Sequence, residues 1–136
     1  MIWIVDCSFT SALFLNDDAA SKVKSFFDQL SAQDQAWVPA LWWHETANTL
    51  TIAEKQKRLT KSDTSRMMAL ISQLPLTTDE SSGPFYLQHL YELASAHQLS
   101  AYDAAYLELA LRKSGALATF DKQLAKAAHA AGVKLV

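Results

Sequence analysis

The chain alternates short apolar runs with longer segments of helical period. That alternation constrains its fold more than any other feature, because parallel strands need a crossover of a dozen or more residues between them. "MIWIVD" reads as a buried first strand, "AWVPA" as a second, "PLTTD" as a weaker third, "ALATF" as a fourth and "VKLV" as a terminal fifth. Between the first two, "DDAASKVKSFFDQL" sets Val23, Phe26, Phe27 and Leu30 on one helical face. A long helix is predicted from about Leu41 to Arg58. A second, capped by Thr60 or Ser62, carries Met67, Leu70, Ile71 and Leu74 as its stripe, and the two would form a hairpin. The helix after the third strand has Leu87, Leu90, Tyr91 and Ala94 as its apolar face. "SAYDAAYLELALRKSG" is a helix with Ser100 as N-cap, an exposed Glu108–Arg112 pair and Gly115 as its stop; "DKQLAKAAHAAG" is capped by Asp121 and stopped by Gly132. The fold class is therefore α/β, with a central parallel sheet of about five strands and helices around it.

Composition narrows the chemistry. The chain has 136 residues, 50% of them apolar, which suits one domain spanning residues 1–136. No run of about eighteen apolar residues occurs, and "MIWIVDCS" has neither a basic region nor a small-residue cleavage site, so a cytoplasmic protein without a membrane span is expected. Cys7 is the single cysteine, which excludes an internal disulfide and a cysteine-based zinc cluster. Any metal must be held by oxygen or histidine. The three glycines form neither a G-x-G-x-x-G turn nor a P-loop, so nucleotide cofactors of those kinds are not expected. The formal charge of -2 offers no general attraction for nucleic acid; Lys55, Lys57, Arg58 and Lys61 form one local basic cluster, and Arg112 with Lys113 another. Each reads first as a solvated helix end.

Four acids stand where the pattern calls for something else. In "WWHETAN" a zinc-hydrolase H-E-x-x-H fails at Asn48, where the second histidine is missing. On a helix stepping about 100° per residue, Glu45 lies within roughly 20° of Ile52 and roughly 40° of Leu41, inside the apolar stripe. His44 points away from that face, and His89, His97 and His129 read as surface or boundary residues. Asp103 shares its face with Leu107 and Ala110. Asp6 ends the first strand and Asp121 follows the fourth by a short turn, both at carboxyl ends of strands, where open parallel sheets form ligand sites. The hydroxyls of Ser8 and Thr119 are placed to hold a water there. Asp6 and Asp121 also read as helix caps and Asp103 as a capping-box variant, whereas an inward mid-helix glutamate needs a buried partner or a cation. Carboxylates gathered without a cation repel one another. An all-oxygen set favours Mg²⁺ or Mn²⁺, which suits phosphodiester hydrolysis.

"IVDCS", Glu45 with Asn48 three residues on, "AYDAAYLELA" and "LATFD", taken in order along the whole chain, resemble the PIN domain, and most of all the VapC-type toxins of bacterial toxin–antitoxin pairs. The resemblance implies a PIN-like fold with about seven helices. It also implies an endoribonuclease dependent on Mg²⁺ or Mn²⁺ that acts on a loop of tRNA or ribosomal RNA. Asp6, Asp103 and Asp121 would hold metal, Glu45 would position a second metal or the attacking water, and Thr119, Ser8 and Asn48 would support the site. A small VapB-like antitoxin and a homodimer are the partners it implies. Trp37, Trp42 and Trp43 read as core or interface residues, placed at the dimer or antitoxin contact before an RNA groove. Two other readings remain open: a non-catalytic PIN-like scaffold for RNA or a protein partner, and a phosphatase of small substrates. The phosphatase reading lacks the expected D-x-D, since the chain has "DCS".

Overall fold

The computed structural model describes residues 1–15 and 17–136. Among these, β1 (Ile2–Val5) leads into α1 (Cys7–Leu15) and α2 (Asp17–Asp28). Then come β2 (Gln35–Pro39), α3 (Leu41–Lys55), α4 (Lys61–Ile71) and β3 (Leu76–Asp79). The chain continues through α5 (Pro84–His97), α6 (Ala101–Lys113), β4 (Ala116–Ala118) and α7 (Lys122–Ala130). The strands pair in the order β3-β2-β1-β4, and every pairing is parallel. Register is set by Trp3, which lies opposite Ala36 on one side and Ala116 on the other.

The topology has one reversal. From β1 the chain moves outward through β2 to β3, then returns to place β4 on the other side of β1. The carboxyl ends of β1 and β4 therefore diverge into different connections, which opens a crevice between them. Ile4, Val5, Val38, Leu117 and Ala118 form the floor of the core and are fully buried, with Phe9, Val23, Trp42, Tyr106, Leu107 and Leu124 packed over them.

α6 occupies the centre and packs against β1, β2 and β4, with α5 and α7 beside it. Its residues from Ala104 to Ala110 are all buried. This corrects the expectation that Glu108 is exposed: it is only 5% accessible, because α5 covers that side of the helix. Its charge is met by Arg112, which donates from Nε to Glu108 at 2.7 Å and from both terminal nitrogens to Asp79 at 3.0 and 2.8 Å. Asp79, to which the sequence assigned no role, thus ties the end of β3 to α6.

Other differences have local causes. Residues 7–15, for which the pattern predicts no element, form the helix α1, and α3 ends at Lys55 rather than Arg58. Thr60, not Ser62, caps α4 through a reciprocal box with Asp63. α6 is stopped by Ser114 in a left-handed conformation (φ 51°) rather than by Gly115. Gly115 is required for another reason: a Cβ there would lie 2.9 Å from the Ile2 carbonyl oxygen. Gly132 does end α7, at φ 81°. "VKLV" forms only one bridge, Leu117 to Leu135, beside the three-residue β4, so four strands rather than five are present among the described residues. Leu70 on α4 and Leu87 and Tyr91 on α5 are exposed, while Leu90 and Ala94 of the predicted face, joined by Leu93, pack against the core.

Candidate active site

Asp6, Glu45, Asp103 and Asp121 line one cavity of about 260 Å³ at the carboxyl end of the sheet, together with Cys7, Ser8, Ser11, Asn48 and Thr49. Four separate segments bring them there. Asp6 leaves β1 at the crevice, and its backbone N–H still donates to the Ala118 carbonyl at 2.9 Å, so the first strand holds it in register with β4. Asp121 follows β4 and caps α7, accepting the Leu124 N–H at 2.8 Å. Asp103 is in the first turn of α6, which Ser100 caps by accepting the Asp103 N–H at 3.1 Å. Glu45 is one turn into α3. The capping and cleft-lining positions of Asp121 and Asp103 are compatible, because a cap occupies one carboxylate oxygen or a backbone group and leaves further acceptor capacity.

The hydroxyls of Ser8 and Thr119 close on the carboxylate of Asp6 itself. Both donate to the same oxygen of Asp6, Oδ2, at 2.6 and 2.7 Å, and they stand 3.2 Å from each other. Ser8 also accepts the Phe120 N–H at 3.1 Å, and Thr119 accepts the Asp121 N–H at 3.0 Å. The turn after β4 is thereby fastened to the carboxylate at the end of β1. Asn48 borders the cavity as an exposed side chain. His44 lies off the site, with its Nδ1 3.4 Å from the Ala40 carbonyl oxygen.

Tyr106 is the residue that sequence reading missed. It is fully buried, and its hydroxyl donates to Glu45 Oε1 at 2.5 Å across 61 positions of sequence. Its spacing from Asp103, i and i+3 on one helix, was the available signal. Burial and the nearby carboxylates hold the phenol well above its ordinary range, so it remains a donor. Trp42 takes the core rather than the interface of the two places expected for it: it is 0% exposed and does not belong to a protein contact. Trp43 is exposed and donates to Thr78 at 2.9 Å, while Lys113 lies 3.5 Å from the centre of the Trp37 ring.

The electrostatics are those of crowded acids. Desolvation is the largest cause raising the pKa of Asp6, against which the Ser8 and Thr119 hydrogen bonds act, and Asp121 raises it further. Glu45 is raised by desolvation, opposed by the Tyr106 hydrogen bond, and raised again by Asp6 and Asp103. Asp103 is raised by desolvation and then by Asp121 and Asp6. Burial likewise raises the Cys7 thiol, which sits 3.6 Å from Thr46 Oγ1 and stays protonated at neutral pH. Among the described residues no three His, Cys, Asp or Glu side chains are gathered closely enough to hold a metal ion between them. An open row of carboxylates that repel one another still fits Mg²⁺ or Mn²⁺ in donor chemistry, since Mg²⁺ keeps several waters and takes only one or two carboxylates directly.

The chain belongs to the PIN-domain family, whose profile matches residues 3–130. Within it the chain falls among the VapC ribonucleases: it is 32% identical over 127 residues to ribonuclease VapC9 of Mycobacterium tuberculosis, covering 93% of this chain and 91% of that one. Its fold matches VapC20 of Mycobacterium tuberculosis, described as a sarcin-ricin loop cleaving toxin, with a TM-score of 0.68 and 18% identity over 92% of this chain and 94% of that one. It also matches VapBC2 from Rickettsia felis, bound to a DNA fragment from its promoter, with a TM-score of 0.72 and 12% identity over 100% of this chain and 98% of that one. No described helix is long and apolar enough to cross a membrane.

Proposed function

We propose that the protein is a Mg²⁺- or Mn²⁺-dependent endoribonuclease, the toxin of a toxin–antitoxin pair, acting in the cytoplasm as one PIN domain over residues 1–136. The observation that carries this reading is the convergence of Asp6, Glu45, Asp103 and Asp121 on one cleft at the reversal of a parallel sheet. Its substrate is a loop of structured RNA, tRNA or ribosomal RNA; the sarcin-ricin loop named for VapC20 supports that class.

Asp6, Asp103 and Asp121 would hold the ion, directly or through water, and Glu45 would hold a second ion or orient the attacking water. When bound, the ion supplies a more acidic water and a counter-charge for the charge that builds on the phosphoryl group. Ser8 and Thr119 fix Asp6 by occupying its Oδ2, Tyr106 fixes Glu45, and Asn48 supplies polar support at the rim. Water adds in line to phosphorus and the bond to the 3′ oxygen breaks, leaving a 5′-phosphate and a 3′-hydroxyl.

A small VapB-like antitoxin is the proposed protein partner, supported by the likeness to VapBC2. A homodimer is proposed as well. α5 offers it an apolar face, with Phe85 82%, Leu87 68% and Tyr91 70% exposed, and exposed apolar patches mark such contacts.

The test incubates the purified protein and an Asp6→Asn variant with total RNA in Mg²⁺. Cleavage by the first and not the second is expected. Equal cleavage by both overturns the site assignment, and no cleavage by either favours the non-catalytic scaffold. A ligand that binds only the folded state raises its apparent stability. A melting temperature identical in Mg²⁺, Mn²⁺ and EDTA would therefore remove the ion from the proposal.

A further inference from the structure

Lys55, Lys57, Arg58 and Lys61 crowd the connection between α3 and α4, with no acid among them. All four are exposed, and none has an ion-pair partner among the described residues. Two of them stand where local physics favours other residues. Lys57 has φ 57°, a left-handed conformation that suits glycine or asparagine. Lys61 is the first residue of α4, at the positive end of the helix dipole, where an acid is preferred. Cations kept against local preference point to a use outside the fold.

Their position relative to the cleft is defined by two helices. Lys55 is ten residues beyond Glu45 along α3, about 15 Å at the helical rise. Arg58 donates from Nη2 to the carbonyl of Leu15 at 3.2 Å, which ties the connection to the last residue of α1. α1 opens beside Asp6, so the cations stand at the far ends of the two helices that begin at the carboxylates. The cleft is acidic and the whole chain carries -2, so a polyanion needs a local attraction elsewhere on the surface.

We propose that Lys55, Lys57, Arg58 and Lys61 form a phosphate-binding ridge that holds the RNA backbone a few nucleotides from the bond that is cut, an inference that rests on the ribonuclease reading. About 15 Å corresponds to roughly four or five nucleotides at a rise of ~3.4 Å. Between Lys55 and Lys61 no aromatic or large aliphatic side chain is exposed, the nearest being Ile52 on α3; protein contacts centre on such anchors, whereas exposed Lys and Arg are the ordinary ligands of phosphate. It contributes affinity and register without reading sequence.

The test measures binding separately from cleavage, in the Asp6→Asn background, with a labelled single-stranded RNA of about 20 nucleotides and with unfractionated tRNA as probes. Four contacts contribute roughly 0.7 each to the slope of log affinity against log salt, or about 3 together, which is a roughly 50-fold change between about 50 and 200 mM salt. Replacing all four by Gln is expected to remove most of that slope. Lys57→Gly is expected to weaken binding while holding or raising the melting temperature, a separation that damage to the fold would not produce. Unchanged affinity and slope in the fourfold variant overturn the ridge, whether or not the protein cuts RNA. Loss of antitoxin binding with RNA binding intact overturns it in favour of a protein contact. Conversely, a wild-type protein that cuts nothing but shows the salt slope that the fourfold variant loses retains the ridge and loses the nuclease.

Discussion

Tyr106→Phe isolates the contact that holds Glu45 in the cleft. The ring is fully buried, so Phe keeps its packing, and only the hydroxyl that donates to Glu45 Oε1 at 2.5 Å is lost. Hydrogen bonds to charged groups contribute about 1.5–3 kcal/mol. Glu45 is half-buried and recovers part of that from water, so a loss of about 1–2 kcal/mol is expected. With an unfolding entropy of ~2.1 cal/mol/K per residue, 136 residues make each kcal/mol worth roughly 3–4 °C, which predicts a melting temperature lower by roughly 4–7 °C in EDTA. The hydroxyl also favours the ionised form of Glu45, so its removal pushes an already raised pKa higher. The Mg²⁺ concentration needed for half-maximal stabilisation should rise with it. Glu45→Gln is the matched control: it keeps an acceptor for Tyr106 and relieves repulsion from Asp6 and Asp103, so it should abolish cleavage without lowering stability in EDTA. A Tyr106→Phe protein with the wild-type melting temperature and the wild-type Mg²⁺ midpoint would refute the reasoning.

Gly115→Ala should cost about 1–3 kcal/mol, measured by denaturant unfolding, because its Cβ would meet the Ile2 carbonyl at 2.9 Å and Ile2 Cγ2 at 3.1 Å, and backbone must shift. Trp42→Ala should cost about 3–5 kcal/mol. Trp42→Phe should cost far less than Trp42→Ala, since it also removes an indole N–H that is buried without a partner among the described residues. The Asp79–Arg112 contact should be sensitive to acid. The Arg112 hydrogen bonds hold the Asp79 carboxyl below its ordinary 3.8, so its contribution is present above that value and is lost as pH falls through the lower folded value. Asp79→Asn should therefore flatten the fall in melting temperature below about pH 4 while leaving the shape of the curve above it unchanged.

Most of the elements were legible because each is a local property. The Val23, Phe26, Phe27 and Leu30 stripe, the Ser100 and Asp121 caps and the Gly132 stop depend on neighbours within one turn, and the structure has them. The candidate acids were legible for a related reason: a carboxylate on an apolar face breaks a short-range pattern. Errors occurred where one side of an element is covered by something distant in sequence. Glu108 and Arg112 have the spacing of a surface pair, yet α5 and the end of β3 enclose Glu108. Leu87 and Tyr91 share the predicted stripe with Leu90 and Ala94, yet α5 is rotated so that only Leu90 and Ala94 of the four, joined by Leu93, pack half-buried on the core.

By itself the sequence determined a parallel α/β domain with three acids at strand ends and helix starts and a fourth, Glu45, on an apolar helix face, since periodicity, capping and charge placement act over a few residues. Only the tertiary structure decided which of those groups meet. The order β3-β2-β1-β4 puts the end of β4 beside the end of β1, so Thr119 and Ser8 close on Asp6. The central position of α6 brings Tyr106 to Glu45, and the return of Arg58 to Leu15 sets the basic connection on the helices of the cleft. Those contacts join residues tens of positions apart, and their geometry comes from packing the whole chain around one sheet, which no local pattern encodes.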